Sequence, residues 1–141
     1  MVEKNMQKSK IKVVDDFLPI FEFAPIKNQM EGGEFPWYWQ EHSHGNFSDG
    51  KFKANCNYKT LEQNTGWFHT DYDDDRKNGM TTSIFYVNTN NGGTKFEDGT
   101  FVNSVSNRMV TFDCSIKHAP VSCSDVDRII VVNINYSKIK K

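Results

Sequence analysis

The sequence has little cysteine, no long apolar run and no excess of either charge. Its three cysteines, Cys56, Cys114 and Cys123, are odd in number, and no pair has metal-ligand spacing. A disulfide framework is therefore not expected, and a reducing compartment is the better fit. No apolar stretch approaches the ~18–20 residues needed to span a membrane. The opening residues are polar, and no apolar segment of the kind found in secretory leaders follows them. Lysine and arginine total 17 against 18 acidic residues, a net charge of −1. Nucleic-acid and membrane-surface binders usually show a basic excess, so neither partner is expected. These absences point to the cytoplasm. There are no internal repeats and no low-complexity segments. At 141 residues the chain reads as a single domain over 11–141, behind a flexible tail over 1–10.

Aromatic residues are plentiful: 11 Phe, 5 Tyr and 3 Trp give a 13% share, which suits a β-rich core. Residues 11–17 read as a short strand. Phe17, Ile20, Phe21 and Ala24 recur at helical spacing, which predicts one short helix near 17–30, with Asp15-Asp16 offering N-cap chemistry. Pro25 is expected to end or kink it. Beyond residue 50 the pattern predicts strands over 51–58, 66–71, 81–88, 93–96, 100–105, 108–113, 118–121 and 128–136, separated by Gly, Asn and Asp turns. Short strands at this spacing indicate a β-sandwich or barrel. The aromatic patch Trp37-Tyr38-Trp39 reads as core packing in preference to a substrate contact. His42 and His44 sit in a Ser/Gly/Asn-rich stretch and read as a solvated loop.

The chemistry concentrates in His69, Asp71 and His118. On a strand, residues two apart point to the same side, so His69 and Asp71 offer an imidazole and a carboxylate to one ion, with Trp67 on the same face. A second imidazole must come from a distant segment, and His118 meets that need. Two histidines and one carboxylate on one face of a metal form the facial triad of non-haem Fe(II) oxygenases. Three protein ligands leave open positions for co-substrate and O2.

Arg128 opens the most apolar run of the chain, Arg-Ile-Ile-Val-Val-Asn-Ile-Asn-Tyr. A buried guanidinium needs an anion, and it binds carboxylate in bidentate geometry. If it points inward, Ile130, Val132 and Ile134 share its face and wall a pocket. The plainer reading pairs it with Asp125 or Asp127 at a strand end.

The set His69-x-Asp71, His118 and Arg128 resembles the Fe(II)/2-oxoglutarate-dependent dioxygenase superfamily, and within it the prolyl-hydroxylase-like branch that includes small phage-encoded and bacterial members. Further segments fit the likeness: Val13-Val-Asp-Asp-Phe-Leu18, Ile84-Phe-Tyr-Val-Asn88, Asn91-Gly-Gly-Thr-Lys-Phe96, Asn107-Arg-Met-Val-Thr-Phe112 and His118-Ala-Pro-Val121. The resemblance covers most of the chain from about residue 11. It implies a mainly β fold, a double-stranded β-helix or jelly roll with a short N-terminal helix and iron at its open end. It implies Fe(II) held by His69, Asp71 and His118, 2-oxoglutarate as co-substrate and O2, with ascorbate as a candidate auxiliary reductant. The far carboxylate of 2-oxoglutarate would pair with Arg128 and the hydroxyl of Tyr86, and Tyr58 would line the same pocket. The implied activity is hydroxylation of a C–H bond, peptidyl-proline being the substrate class suggested by the branch, with succinate and CO2 as products. For phage-encoded members the location would be the host cytoplasm.

The chain is short for this branch, and it has Arg where collagen-type prolyl hydroxylases have Lys. It also lacks the double Arg that nucleobase demethylases carry after the distal histidine. Two other classes compete: a non-catalytic jelly roll binding a metal or sugar, and a cupin-type metal enzyme that does not use 2-oxoglutarate.

Overall fold

The long apolar run near the C-terminus can be buried on both faces only if something covers each side of its strand. In the computed structural model, which describes residues 10–37, 50–72, 75 and 78–137, that is the arrangement. The elements run β1 (Lys12–Val14), α1 (Ile20–Glu31), β2 (Gly50–Tyr58), β3 (Met80–Tyr86), β4 (Gly93–Phe96), β5 (Phe101–Asn103), β6 (Arg108–Asp113), β7 (His118–Val121) and β8 (Arg128–Ser137). Five strands form one sheet in the order β1-β6-β3-β8-β2, and three form a second in the order β5-β4-β7. Every pairing between these strands is antiparallel. The architecture is a mainly β jelly roll with one N-terminal helix, as expected.

Strand parity divides the core into two layers. On one face of the large sheet Phe85, Val87, Met109, Ile130 and Val132 pack against Phe23 and Met30 of α1. On the other face Ile84, Tyr86, Val110 and Phe112 meet Phe96 and Val102 of the small sheet. β3 lies at the centre and is buried along its whole length.

Several local expectations are corrected. The helix continues through Pro25 to Glu31, despite the backbone bond Pro25 cannot donate. Burial of Phe23 and Met30 on either side of it holds the helix to the sheet. Neither Asp15 nor Asp16 caps α1; Pro19 occupies the N-cap position without a side-chain bond. Asp15 pairs with Arg108 instead, at 2.5 Å. Trp37 packs on the helix-side core, in line with the core reading. Tyr38, Trp39, His42 and His44 lie outside the described residues.

The predicted strand over 66–71 is replaced by two isolated bridges to β7, Thr65 with Val121 and His69 with His118. Four steps along this segment oppose three along β7, so one residue bulges. Pro120 in the middle of β7 has no N–H to continue a ladder. Close fit on the other side of β7 depends on Gly92-Gly93. A Cβ on Gly93 would lie 2.1 Å from the Val102 carbonyl oxygen, and one on Gly92 2.7 Å from that of Val121.

Candidate metal centre and adjoining cavity

His69 and His118 face each other across the second bridge, each donating its backbone N–H to the other's carbonyl at 3.0 Å. This pairing brings two imidazoles from distant parts of the chain side by side, with ring centroids 4.7 Å apart. Asp71 follows two residues after His69 and turns into the same space. One ligand atom from each of His69, Asp71 and His118 lies within 4.8 Å of the others. Asp71 Oδ1 is 3.3 Å from His118 Nε2 and 3.7 Å from His69 Nε2.

The donor set fits a metal. His69 Nδ1 lies 2.9 Å from the Trp67 carbonyl, and His118 Nδ1 lies 3.1 Å from that of Ile116. A carbonyl only accepts, so each Nδ1 carries a proton, and each Nε2 is the ring atom turned toward Asp71. Ligand atoms about 2.1 Å from one ion stand about 3 Å apart at right angles. The His118–Asp71 edge, at 3.3 Å, is close to that spacing, and the edge from Asp71 to the half-exposed His69 ring, at 3.7 Å, is longer. His118 is buried, its ring held edge-on by Phe112 at 4.8 Å.

Asp71 divides its two oxygens between two tasks. Oδ2 accepts from Thr82 Oγ1 at 2.9 Å and from Asn135 Nδ2 at 2.5 Å. Oδ1 is left facing the histidines. Burial alone pushes this carboxyl up, but His118, Asn135 and Thr82 outweigh it and hold it well below the usual carboxylate range. The group is therefore anionic and oriented before any ion arrives.

The triad opens into a cavity of about 590 Å³ between the two sheets, within the range of small-ligand sites. Tyr86 and Thr94 line it, with their hydroxyls 2.6 Å apart and both side chains buried. Burial pushes the Tyr86 phenol up to about 12, against the opposing pull of Thr94 and Arg108. Tyr58 borders the cavity at the end of β2 and is largely exposed.

Two side chains lie elsewhere than the sequence pattern suggested. Trp67 does not join the ligand face; it is 91% exposed, turned out beside the bulge. Arg128 does not line the cavity. It shares a face with Ile130, Val132 and Ile134, as expected, but that face packs on α1. Its guanidinium donates to the Glu31 carbonyl at the end of the helix. A cation there satisfies an orphan carbonyl and complements the helix dipole. Asp125 and Asp127 are not its partners: Asp127 pairs with Lys59 at 3.1 Å, and Asp125 accepts from the Asn91 amide. The cavity face of β8 is the alternate set, Ile129, Val131, Asn133 and Asn135.

Thr82, Thr94 and Asn135 went unnoticed in the sequence reading. A signal existed for Asn135: in Val-Val-Asn-Ile-Asn the two asparagines fall at alternate positions of an otherwise apolar strand, marking one face as polar.

No protein-family model and no curated protein matches the sequence. The fold is similar to the crystal structure of a Pseudomonas putida prolyl-4-hydroxylase, with a TM-score of 0.56 over 93% of this chain and 94% of that one. The two sequences are 12% identical, so the likeness is one of fold.

Proposed function

We propose that the protein is an Fe(II)- and 2-oxoglutarate-dependent dioxygenase that hydroxylates a C–H bond. The observation that carries this reading is the convergence of His69 Nε2, His118 Nε2 and Asp71 Oδ1 at the cavity between the sheets. Two imidazoles and one carboxylate are the donor set of non-haem Fe(II) oxygenases. A solved structure of similar fold is a prolyl-4-hydroxylase, which makes peptidyl-proline the substrate class to test first.

His69, Asp71 and His118 would hold the iron. When bound, that ion supplies activation of O2 coupled to oxidative decarboxylation of 2-oxoglutarate to succinate and CO2. The chain's own contribution is placement. The Trp67 and Ile116 carbonyls fix both imidazole tautomers, Thr82 and Asn135 fix the carboxylate, and Phe112 fixes the His118 ring. The Tyr86 phenol, held neutral by burial and bonded to Thr94 and the Val102 carbonyl, would donate to a carboxylate in the cavity by exchanging one of those bonds.

The test is an anaerobic titration of Fe(II)-loaded protein with 2-oxoglutarate, followed by the visible charge-transfer band, together with succinate release in air. The reading expects a band in the wild type and its loss in His118→Ala. Iron-loaded protein that gives neither band nor succinate is instead a metal-binding jelly roll or a cupin-type enzyme.

A further inference from the structure

Arg128 lies on the far side of β8, which leaves the co-substrate's second carboxylate without the cation the sequence pattern suggested. Among the described residues lining the cavity there is one lysine and no arginine, and the lysine is Lys53. Resting on the 2-oxoglutarate reading above, we infer that Lys53 on β2 takes the place of Arg128 as the cation for that carboxylate.

The register supports this. Lys53 pairs with Asn133, and Asn133 pairs with Ile84, so these residues form one row across β2, β8 and β3. The adjoining row toward the metal contains Asn135 and Thr82, which hold Asp71. The adjoining row on the other side contains Asn55, Val131 and Tyr86. Neighbouring rows are two residues apart, about 6–7 Å. Lys53 is thus one step beyond the carboxylate ligand, on the way to the Tyr86 hydroxyl. A five-carbon diacid spans such a step. The flexible four-carbon stem of lysine lets the ammonium lean over β8 toward the phenol.

The polarity of β2 agrees. Its cavity-facing residues are Lys53, Asn55 and Asn57, while Ala54 and Cys56 between them pack on the helix-side core. Asn133, beside Lys53, has a buried Oδ1 with no hydrogen-bond partner. Lysine at a sheet edge has another use, since an inward charge blocks pairing with a second chain. The experiment separates the two roles.

Dissociation constants would be measured anaerobically on the Fe(II)-loaded protein for 2-oxoglutarate and for 2-oxopentanoate, which lacks only the far carboxylate. The variants are Lys53→Met, which keeps the stem, Lys53→Arg, which keeps the charge, and Arg128→Ala. Lys53→Met is expected to weaken 2-oxoglutarate by about 10- to 100-fold. It should leave 2-oxopentanoate within about twofold, with Lys53→Arg recovering part of the loss. Arg128→Ala should leave both ligands unchanged. Weakening by Arg128→Ala with no effect of Lys53→Met overturns the inference and keeps the 2-oxoglutarate reading. Equal weakening of both ligands by Lys53→Met assigns the lysine a structural role and also overturns it. Absence of any 2-oxoglutarate binding in iron-loaded wild type removes the reading on which it rests.

Discussion

Asn135 donates its side-chain N–H to Asp71 Oδ2 at 2.5 Å, across 64 residues of sequence. With Thr82 on the same oxygen, the bond commits one half of the carboxylate to the sheet and aims the other at the histidines. Asn135→Ala is expected to leave the fold intact and to lower Fe(II) or Co(II) affinity about 10- to 100-fold, the usual effect of removing a partner that orients a metal ligand. Metal titration with a competing chelator checks it. Unchanged affinity would mean that Thr82 and the backbone suffice to position Asp71.

The same network gives the metal-free protein an acid limb. Asp71 has a folded-state pKa below its unfolded value of about 4. The unfolded chain therefore binds more protons over that interval, and stability falls as pH drops below about 4. Asp71→Asn should flatten this part of the profile. Denaturant midpoints measured from pH 6 to pH 2.5 on both proteins test it.

Tyr86 gives the opposite limb. Its phenol, pushed up to about 12, keeps a proton that the unfolded chain has released by about pH 10. Stability attributable to this group therefore declines between about pH 10 and 12. In a spectrophotometric titration one of the five tyrosines should ionise near pH 12 in the folded protein. Tyr86→Phe should remove that step. It should also cost about 1–3 kcal/mol by leaving the buried Thr94 hydroxyl without its partner.

Gly93→Ala should be among the most damaging single substitutions, at about 3 kcal/mol or more, because the new methyl would collide with the Val102 carbonyl. Gly33→Ala is the control, since nothing lies within 4 Å of a Cβ there. Thermal melts of the two variants decide the point, and equal melting temperatures would contradict the packing described for β4.

The sequence was most legible where chemistry and periodicity coincide. His69-x-Asp71 with His118 could be picked out because the residue types are rare together and the spacing suits one ion. β4, β6 and β7 have the expected bounds because each is fenced by turn residues. Arg128 shows the limit. Alternation correctly groups it with Ile130, Val132 and Ile134, but it cannot say which face meets the cavity when both faces of β8 are apolar. That choice was made by α1, whose Phe23 and Met30 claim the even-numbered side. The 66–71 segment alternates like a strand, yet Pro120 on its partner denies it a ladder. Thr82 and Asn135 act through contacts far apart in the chain, and no local pattern announces such contacts. Lys53 carries no local signal, and only the register sets it beside Asn133.

The two histidines belong to β7 and to the segment bridged to it, whereas Asp71 is tied by Thr82 and Asn135 to β3 and β8. An ion gripping all three would act as a rivet through both layers of the sandwich. Its binding energy would then be shared with the joined state of the two layers, rising with free metal as mass action requires. Chelation should expose the 60–72 stretch to proteases first. On the proposed iron reading, a cell short of the metal would lose the protein itself as well as its turnover.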